Sequence, residues 1–120
     1  MDKGTLDAWC RKLPGCTYDY QPAWECDRYH VGGKLFAMIG DDGKGKDILT
    51  LKCDPAWADE LREIYPGIIA GYHMNKTHWN SVYLDADIPH ELWERMIAHS
   101  HGQVVQKLPK KVRQELSLFA

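Results

Sequence analysis

The segment His73-Met74-Asn75-Lys76-Thr77-His78-Trp79-Asn80-Ser81-Val82-Tyr83-Leu84-Asp85 gathers imidazole, ammonium, carboxamide, indole and phenol groups on one extended stretch. Side chains of these types act in one of two ways. They close into a buried polar network that locks a small fold, since buried donors and acceptors need partners. Or they face a ligand, with Trp79 and Tyr83 stacking on bases while Lys76 meets a phosphate. Alternation along a strand puts His78, Asn80, Val82 and Leu84 on one face and Trp79, Ser81, Tyr83 and Asp85 on the other. If Val82 and Leu84 face the helices, Trp79 and Tyr83 look out from the open side of the sheet. The competing arrangement packs Trp79 under the last helices and uses His78 and Asn80 to satisfy backbone groups where the strand starts.

Other chemistry is poorly provided for. A catalytic zinc needs about three converging protein ligands. His73 and His78 flank one turn, while His99 and His101 are two apart on a helix and point in different directions. No metal or other cofactor is expected. Cys10, Cys16, Cys26 and Cys53 lack paired ligand spacing. Cys10 and Cys53 sit on apolar stripes, and Cys26 lies between Glu25 and Asp27, which raise rather than lower a thiol pKa. With no GxSxG and no Ser-His-Asp arrangement, no catalytic residue is assigned.

The basic residues offer a second route to function. Lys107, Lys110, Lys111 and Arg113 cluster around Leu108-Pro109, Lys44 and Lys46 tip a loop, and Lys34, Lys52 and Lys76 lie between them. Each taken singly is a solvated surface charge. Together they could line a groove for phosphates if the fold brings them together. The formal net charge is −2 over 120 residues, so no global field draws the chain onto nucleic acid, and a local patch must do so. The expected nucleic-acid contacts are Lys34, Lys44, Lys46, Lys52, Lys76, Lys110, Lys111 and Arg113, with His78, Trp79, Asn80 and Tyr83 beside them. Few of these are arginine, so bidentate reading of guanine is not indicated, and binding to DNA should be non-specific and salt-sensitive. The rival is a protein-interaction module using the exposed tyrosines, Trp24 and the Gly-rich loop. An enzyme or metal-binding protein is the third reading.

These groups must be positioned by a modest single domain of 120 residues, 44% hydrophobic and 27% charged, a globular balance. Leu6, Trp9, Cys10 and Leu13 mark a helix over 3–13 that Pro14-Gly15 ends. Residues 16–22 read as a polar and aromatic connector. Strands are predicted over 24–31 and 34–40 around Gly32-Gly33, and over 47–53 after the loop Asp41-Asp42-Gly43-Lys44-Gly45-Lys46. Asp54-Pro55 caps a second helix with Trp57, Leu61, Ile64 and Tyr65 inward. Two strands follow over 68–74 and 78–85. A helix from Pro89 carries Leu92, Trp93, Met96 and Ile97 inward and runs to Leu108, where Pro109 begins a last helix through Leu118. Tight hairpins imply mainly antiparallel pairing with helices covering one apolar face. No stretch reaches the roughly 18 apolar residues of a membrane span. With no secretory pattern at Met1-Asp2-Lys3-Gly4 and no cysteine framework, a cytoplasmic protein is expected.

Leu13-Pro14-Gly15, Gly33-Lys34-Leu35-Phe36-Ala37-Met38, Leu51-Lys52-Cys53-Asp54-Pro55, Tyr65-Pro66-Gly67, Asn75-Lys76-Thr77-His78-Trp79-Asn80, Tyr83-Leu84-Asp85 and Leu108-Pro109-Lys110-Lys111 occur in an order that resembles the MmcQ/YjbR family. The resemblance runs over nearly the whole chain, and its most specific part is Asn-Lys-x-His-Trp followed by Val-Tyr-Leu-Asp. It implies an α+β two-layer sandwich of the frataxin or CyaY type, with about five mainly antiparallel strands and helices on one face, also described as a double-wing DNA-binding architecture. It also implies a DNA-binding role, which for the family rests on fold analogy, and it brings no catalytic residues. The iron handling of frataxins does not transfer, because the first helix here carries only Asp2 and Asp7 beside Lys3, Arg11 and Lys12.

Overall fold

A computed structural model describes residues 1–71 and 74–118. Helix α1 (Lys3–Arg11) starts where the Asp2 carboxylate accepts the Thr5 N–H at 2.8 Å, which satisfies one of the free amides of the first turn. Helix α2 (Pro55–Ile64) starts on Asp54 in the same way, with proline where no amide is needed. Helices α3 (His90–Gln106) and α4 (Lys110–Glu115) are separated by Leu108-Pro109. The last helix therefore stops before Leu118, short of the prediction.

The strands are β1 (Cys16–Gln21), β2 (Cys26–Val31), β3 (Lys34–Asp41), β4 (Asp47–Lys52), β5 (Ile68–Ala70) and β6 (Trp79–Tyr83). They form one sheet in the order β1-β2-β3-β4-β6-β5, with every pairing antiparallel. The α+β class and the placement of helices on one face follow the prediction. The strand count does not: Cys16–Gln21 is an edge strand, which makes six strands among the described residues where about five were expected. Its residues are mostly exposed on both faces, so it carries no hydrophobic alternation to betray it. Cross-strand pairs hold it instead. Asp19 sits opposite Arg28 and accepts from its Nη2 at 2.6 Å, and Tyr18 lies opposite Tyr29 and bonds Asp27.

Register decides which side chains meet the helices. Ala37 and Ile39 pair with Leu51 and Leu49, and Val82 pairs with Leu49, so these residues share the covered face. Between Tyr29 and His30 the β2–β3 register shifts so that Phe36 becomes an extra residue, the bulge that turns its ring to the same side as Ala37. There Phe36 packs edge-on against His101 of α3, with centroids 5.2 Å apart. Leu6, Leu61, Trp93, Met96 and Ile97 complete the core from the helices, each fully buried large side chain contributing about 1.5–3 kcal/mol. The other face bears Met38, Gly40, Ile48, Thr50, Lys52, Trp79, Ser81 and Tyr83. Its centre is closed by Thr50 and Ser81, whose hydroxyls lie 2.8 Å apart across the ladder.

No helix among the described residues is long and apolar enough to cross a membrane.

Candidate functional site

Lys52 ends β4 and stands directly across the ladder from Trp79, which opens β6. Lys34 begins β3 two residues after Gly32. The Gly32-Gly33 turn has positive φ at both positions, and a Cβ on Gly32 would lie 2.7 Å from a Leu108 methyl. Glycine there lets the end of α3 and the start of α4 settle onto the turn. Ser100 fixes the depth of α3. Its hydroxyl donates to the Phe36 carbonyl at 2.5 Å and accepts the Lys52 amide at 2.8 Å, bonding both strands just beyond Ala37 and Leu51, the last pair of their ladder.

The outcome is a recess of about 350 Å³ at the sheet's end, walled by Lys34, Leu35, Lys52 and Trp79 from the strands and by Val104, Lys107 and Leu108 from the helix. No carboxylate is among the described residues that line it. Burial pushes the Lys52 ammonium pKa down, and the charge of Lys107 pushes it the same way. An anion seated there would relieve both effects, while the half-buried Trp79 offers a ring face beside it.

The remaining expected contacts are dispersed. Lys46 is paired with Asp85 at 3.2 Å and lies 5.7 Å over the Tyr83 ring, and the Tyr83 hydroxyl donates to Asp42 Oδ2 at 3.1 Å. Burial works to raise the Asp42 pKa, but the amides of Lys44 and Lys46 and the Tyr83 hydroxyl outweigh it and leave it lowered. Trp79 and Tyr83 do share a face, as the alternation predicts. They are four residues apart, about 13 Å along a strand, so Tyr83, Lys44 and Lys46 belong to the other end of β4 and β6. Lys76 is exposed on the β5–β6 loop, where its carbonyl accepts from Arg62 at 2.9 Å. His78 is half-buried, and its carbonyl accepts the Cys53 amide at 2.8 Å. Asn80 is turned inward: it donates to the Ala58 carbonyl at 3.3 Å and accepts from Arg62 at 3.2 Å, tying β6 to α2. Lys110 and Lys111 are exposed on α4 and do not line the recess, and Arg113 is half-buried.

The histidines divide similarly. His99 Nε2 accepts the Asp54 amide at 3.0 Å, and the His101 ring bonds the Pro14 carbonyl at 2.7 Å, so each ties α3 to a different neighbour. His73 lies outside the described residues. Among those described, no group of three or more His, Cys, Asp or Glu side chains converges as metal ligands. Burial pushes the Cys10 and Cys53 thiols up to about 12, the opposite of what a nucleophile requires.

Lys107 is the lining cation absent from the expected contact set. Its signal was its position between Val104 and Leu108, apolar residues one turn apart that had to face the protein and carry the lysine to the rim between them.

A model of the YjbR family matches residues 11–103. The chain belongs to the YjbR family. It is 36% identical over 115 residues to the uncharacterised protein YbdF of Escherichia coli O157:H7, covering 92% of this chain and 93% of the relative. It is 30% identical over 116 residues to YjbR of Escherichia coli K12, covering 97% and 98%. The crystal structure of Deinococcus radiodurans DR2400, a DUF419 domain, superposes with a TM-score of 0.87 at 33% identity, covering 97% of this chain and 88% of that one. A Pseudomonas syringae crystal structure gives a TM-score of 0.70 at 25% identity, covering 83% and 96%.

Proposed function

We propose that this chain is a non-enzymatic DNA-binding protein of low sequence specificity that holds a strand at the recess between β3, β4, β6 and α3. One observation carries the reading: Lys34, Lys52 and Lys107 converge with Trp79 around a single concavity that no described carboxylate lines. Ammonium groups meet phosphates without regard to sequence, and an indole face stacks on any base. The recess is an end-of-sheet notch, so it suits an unpaired strand better than the broad surface of a duplex. Lys110 and Lys111 extend the same charge outward along α4.

The test is a salt titration of labelled single- and double-stranded DNA. With three phosphate contacts, log K for the single strand should fall with log salt at a slope of about −2, from roughly 0.7 per contact. Lys52→Ala/Lys107→Ala should bring that slope to about −0.7. Trp79→Ala should weaken single-strand binding by about 1–3 kcal/mol. Lys110→Ala/Lys111→Ala should have the smaller effect of the two double variants. Binding indifferent to salt, or unchanged in the Lys52/Lys107 variant, would remove this site.

A further inference from the structure

Strand β1 is an edge of the sheet, with β2 its one neighbour among the described strands. In an antiparallel ladder every other residue turns its N–H and C=O away from the neighbour, so β1 presents a row of unpaired backbone groups. Proteins blunt such an edge by keeping it short, by a bulge, or by lysine or proline within it. The opposite edge, β5, is only three residues long. Strand β1 has six residues, pairs with β2 without a register shift, and contains neither lysine nor proline. Its one charged side chain, Asp19, already accepts from Arg28 Nε at 2.8 Å and Nη2 at 2.6 Å. Tyr18 and Tyr20 stay 37% and 50% exposed, so α1 leaves the edge open. A third ring, Trp24, is 65% exposed at the hairpin tip. It forms the lip of a second recess, of about 380 Å³, floored by Cys26, Met38, Gly40 and Ile48 at the far end of β4.

We infer that β1 pairs antiparallel with β1 of a second copy and joins the two sheets into one. Across such a two-fold ladder, facing residues must lie on the same side of the sheet, which restricts the register. The longest overlap sets Asp19 against Asp19 of the partner subunit, and like charges directly opposite are destabilising. Sliding the partner strand by two residues removes that conflict and still pairs residues 16–20 of each copy. Sliding it the other way leaves only residues 19–21 paired. In the favoured register Tyr18 faces the partner's Tyr18, Thr17 faces the partner's Asp19, and Cys16 faces the partner's Tyr20. The Thr17 hydroxyl gives that carboxylate a further donor, so the charge on each edge meets a hydrogen bond instead of its like. The area is modest. At roughly 200 Å² per ring, the exposed parts of Tyr18 and Tyr20 contribute about 170 Å² per copy. With the backbone edge added, the pair stays below the ~1,200 Å² of stable interfaces, so it is weak and reversible. The hairpin tip lies beyond the end of the partner strand in this register, which leaves Trp24 and its recess outside the ladder.

Sedimentation of the full chain from about 5 µM to about 1 mM should show a reversible monomer–dimer equilibrium, with a dissociation constant above about 10 µM. Tyr18→Ala should weaken it about tenfold through loss of the aromatic pair, whereas Trp24→Ala should leave it unchanged. Facing residues of an antiparallel ladder lie about 4.5–5.5 Å apart at Cα, within disulfide reach. Cys10, Cys26 and Cys53 are buried. Oxidation by diamide should therefore link Tyr20→Cys chains through Cys16 of the partner subunit, and adding Cys16→Ser should abolish that link. The chain with Tyr18→Cys and Cys16→Ser should cross-link, because position 18 faces itself. The inference is overturned by a monomer at every concentration, by a dimer that Trp24→Ala dissolves, by a dimer indifferent to Tyr18→Ala, or by cross-linking of Tyr20→Cys without Cys16.

Discussion

The two recesses both draw on β4, yet they are assembled in opposite ways. The recess under Trp24 comes from one stretch of meander, residues 23–50, whose hairpins fold it without help from any helix. The basic recess gathers residues from 34 to 108 and has no wall until the end of α3 docks against the Gly32-Gly33 turn. One site is thus a local property of the strands, and the other a property of helix placement. The charges differ too, since Lys34, Lys52 and Lys107 line the basic recess while no lysine or arginine is among the residues that line the recess under Trp24. A chain of nearly balanced net charge can therefore still carry a concavity lined by one sign.

Leu108→Ala should separate them most strongly. Leu108 is buried against Gly32 and forms part of the basic recess, so its loss should cost about 2–5 kcal/mol in urea unfolding. At urea concentrations where the variant is still folded, DNA affinity should drop while the amide shifts of the strands around the Trp24 recess stay unchanged. Joint failure of both sites would break the comparison. Acid should act in the same sense but more gently. Burial lowers the His99 pKa, nearby Asp54 opposes that, and Arg95 adds to it. The folded ring thus takes up a proton at lower pH than the unfolded one, whose ordinary value is 6.5. Its contribution is whole above that pH and declines as pH falls through and below it. The urea midpoint should drop between pH 7 and 5.5, and His99→Gln should flatten that part of the profile. Because the His99–Asp54 contact anchors α3, DNA binding should feel the change before the Trp24 recess does. The smallest effect should come from Lys46→Ala. Its pair with Asp85 is exposed on both sides, worth about 0.2–1 kcal/mol at most, and neither recess should alter.

Much of this architecture could be read from residue pattern. The apolar stripe of α1, the Asp54-Pro55 start of α2 and the Gly32-Gly33 hairpin all express local rules. So did the shared face of Trp79 and Tyr83, which follows from alternation alone. What alternation could not convey was depth along the strand, so two rings on one face were grouped although they serve opposite ends of the sheet. Edge strand β1 was illegible because its stability lies in pairs such as Asp19 with Arg28, which exist only once register is known. Asn80 illustrates the reverse difficulty. Its type suggested either a ligand contact or a bond to backbone at the start of the strand, and the second holds: its amide donates to the Ala58 carbonyl and accepts from Arg62, partners on another element that no spacing rule names. Lys107 was grouped with Lys110 and Lys111 rather than with Lys34 and Lys52 for a similar reason, since those two are brought to it only by the docking of α3.

The Ser100 hydroxyl carries a dynamic consequence. It stands in for the neighbouring strand at the Lys52 amide and for a strand donor at the Phe36 carbonyl, so those two groups cannot open by simple fraying of the sheet. They are released only when α3 lifts away. The Lys52 amide, although at a strand terminus, should therefore exchange with solvent deuterium at the rate of helix detachment rather than the faster rate typical of strand ends. Ser100 thereby makes one backbone proton a clock for the motion that would dismantle the basic recess.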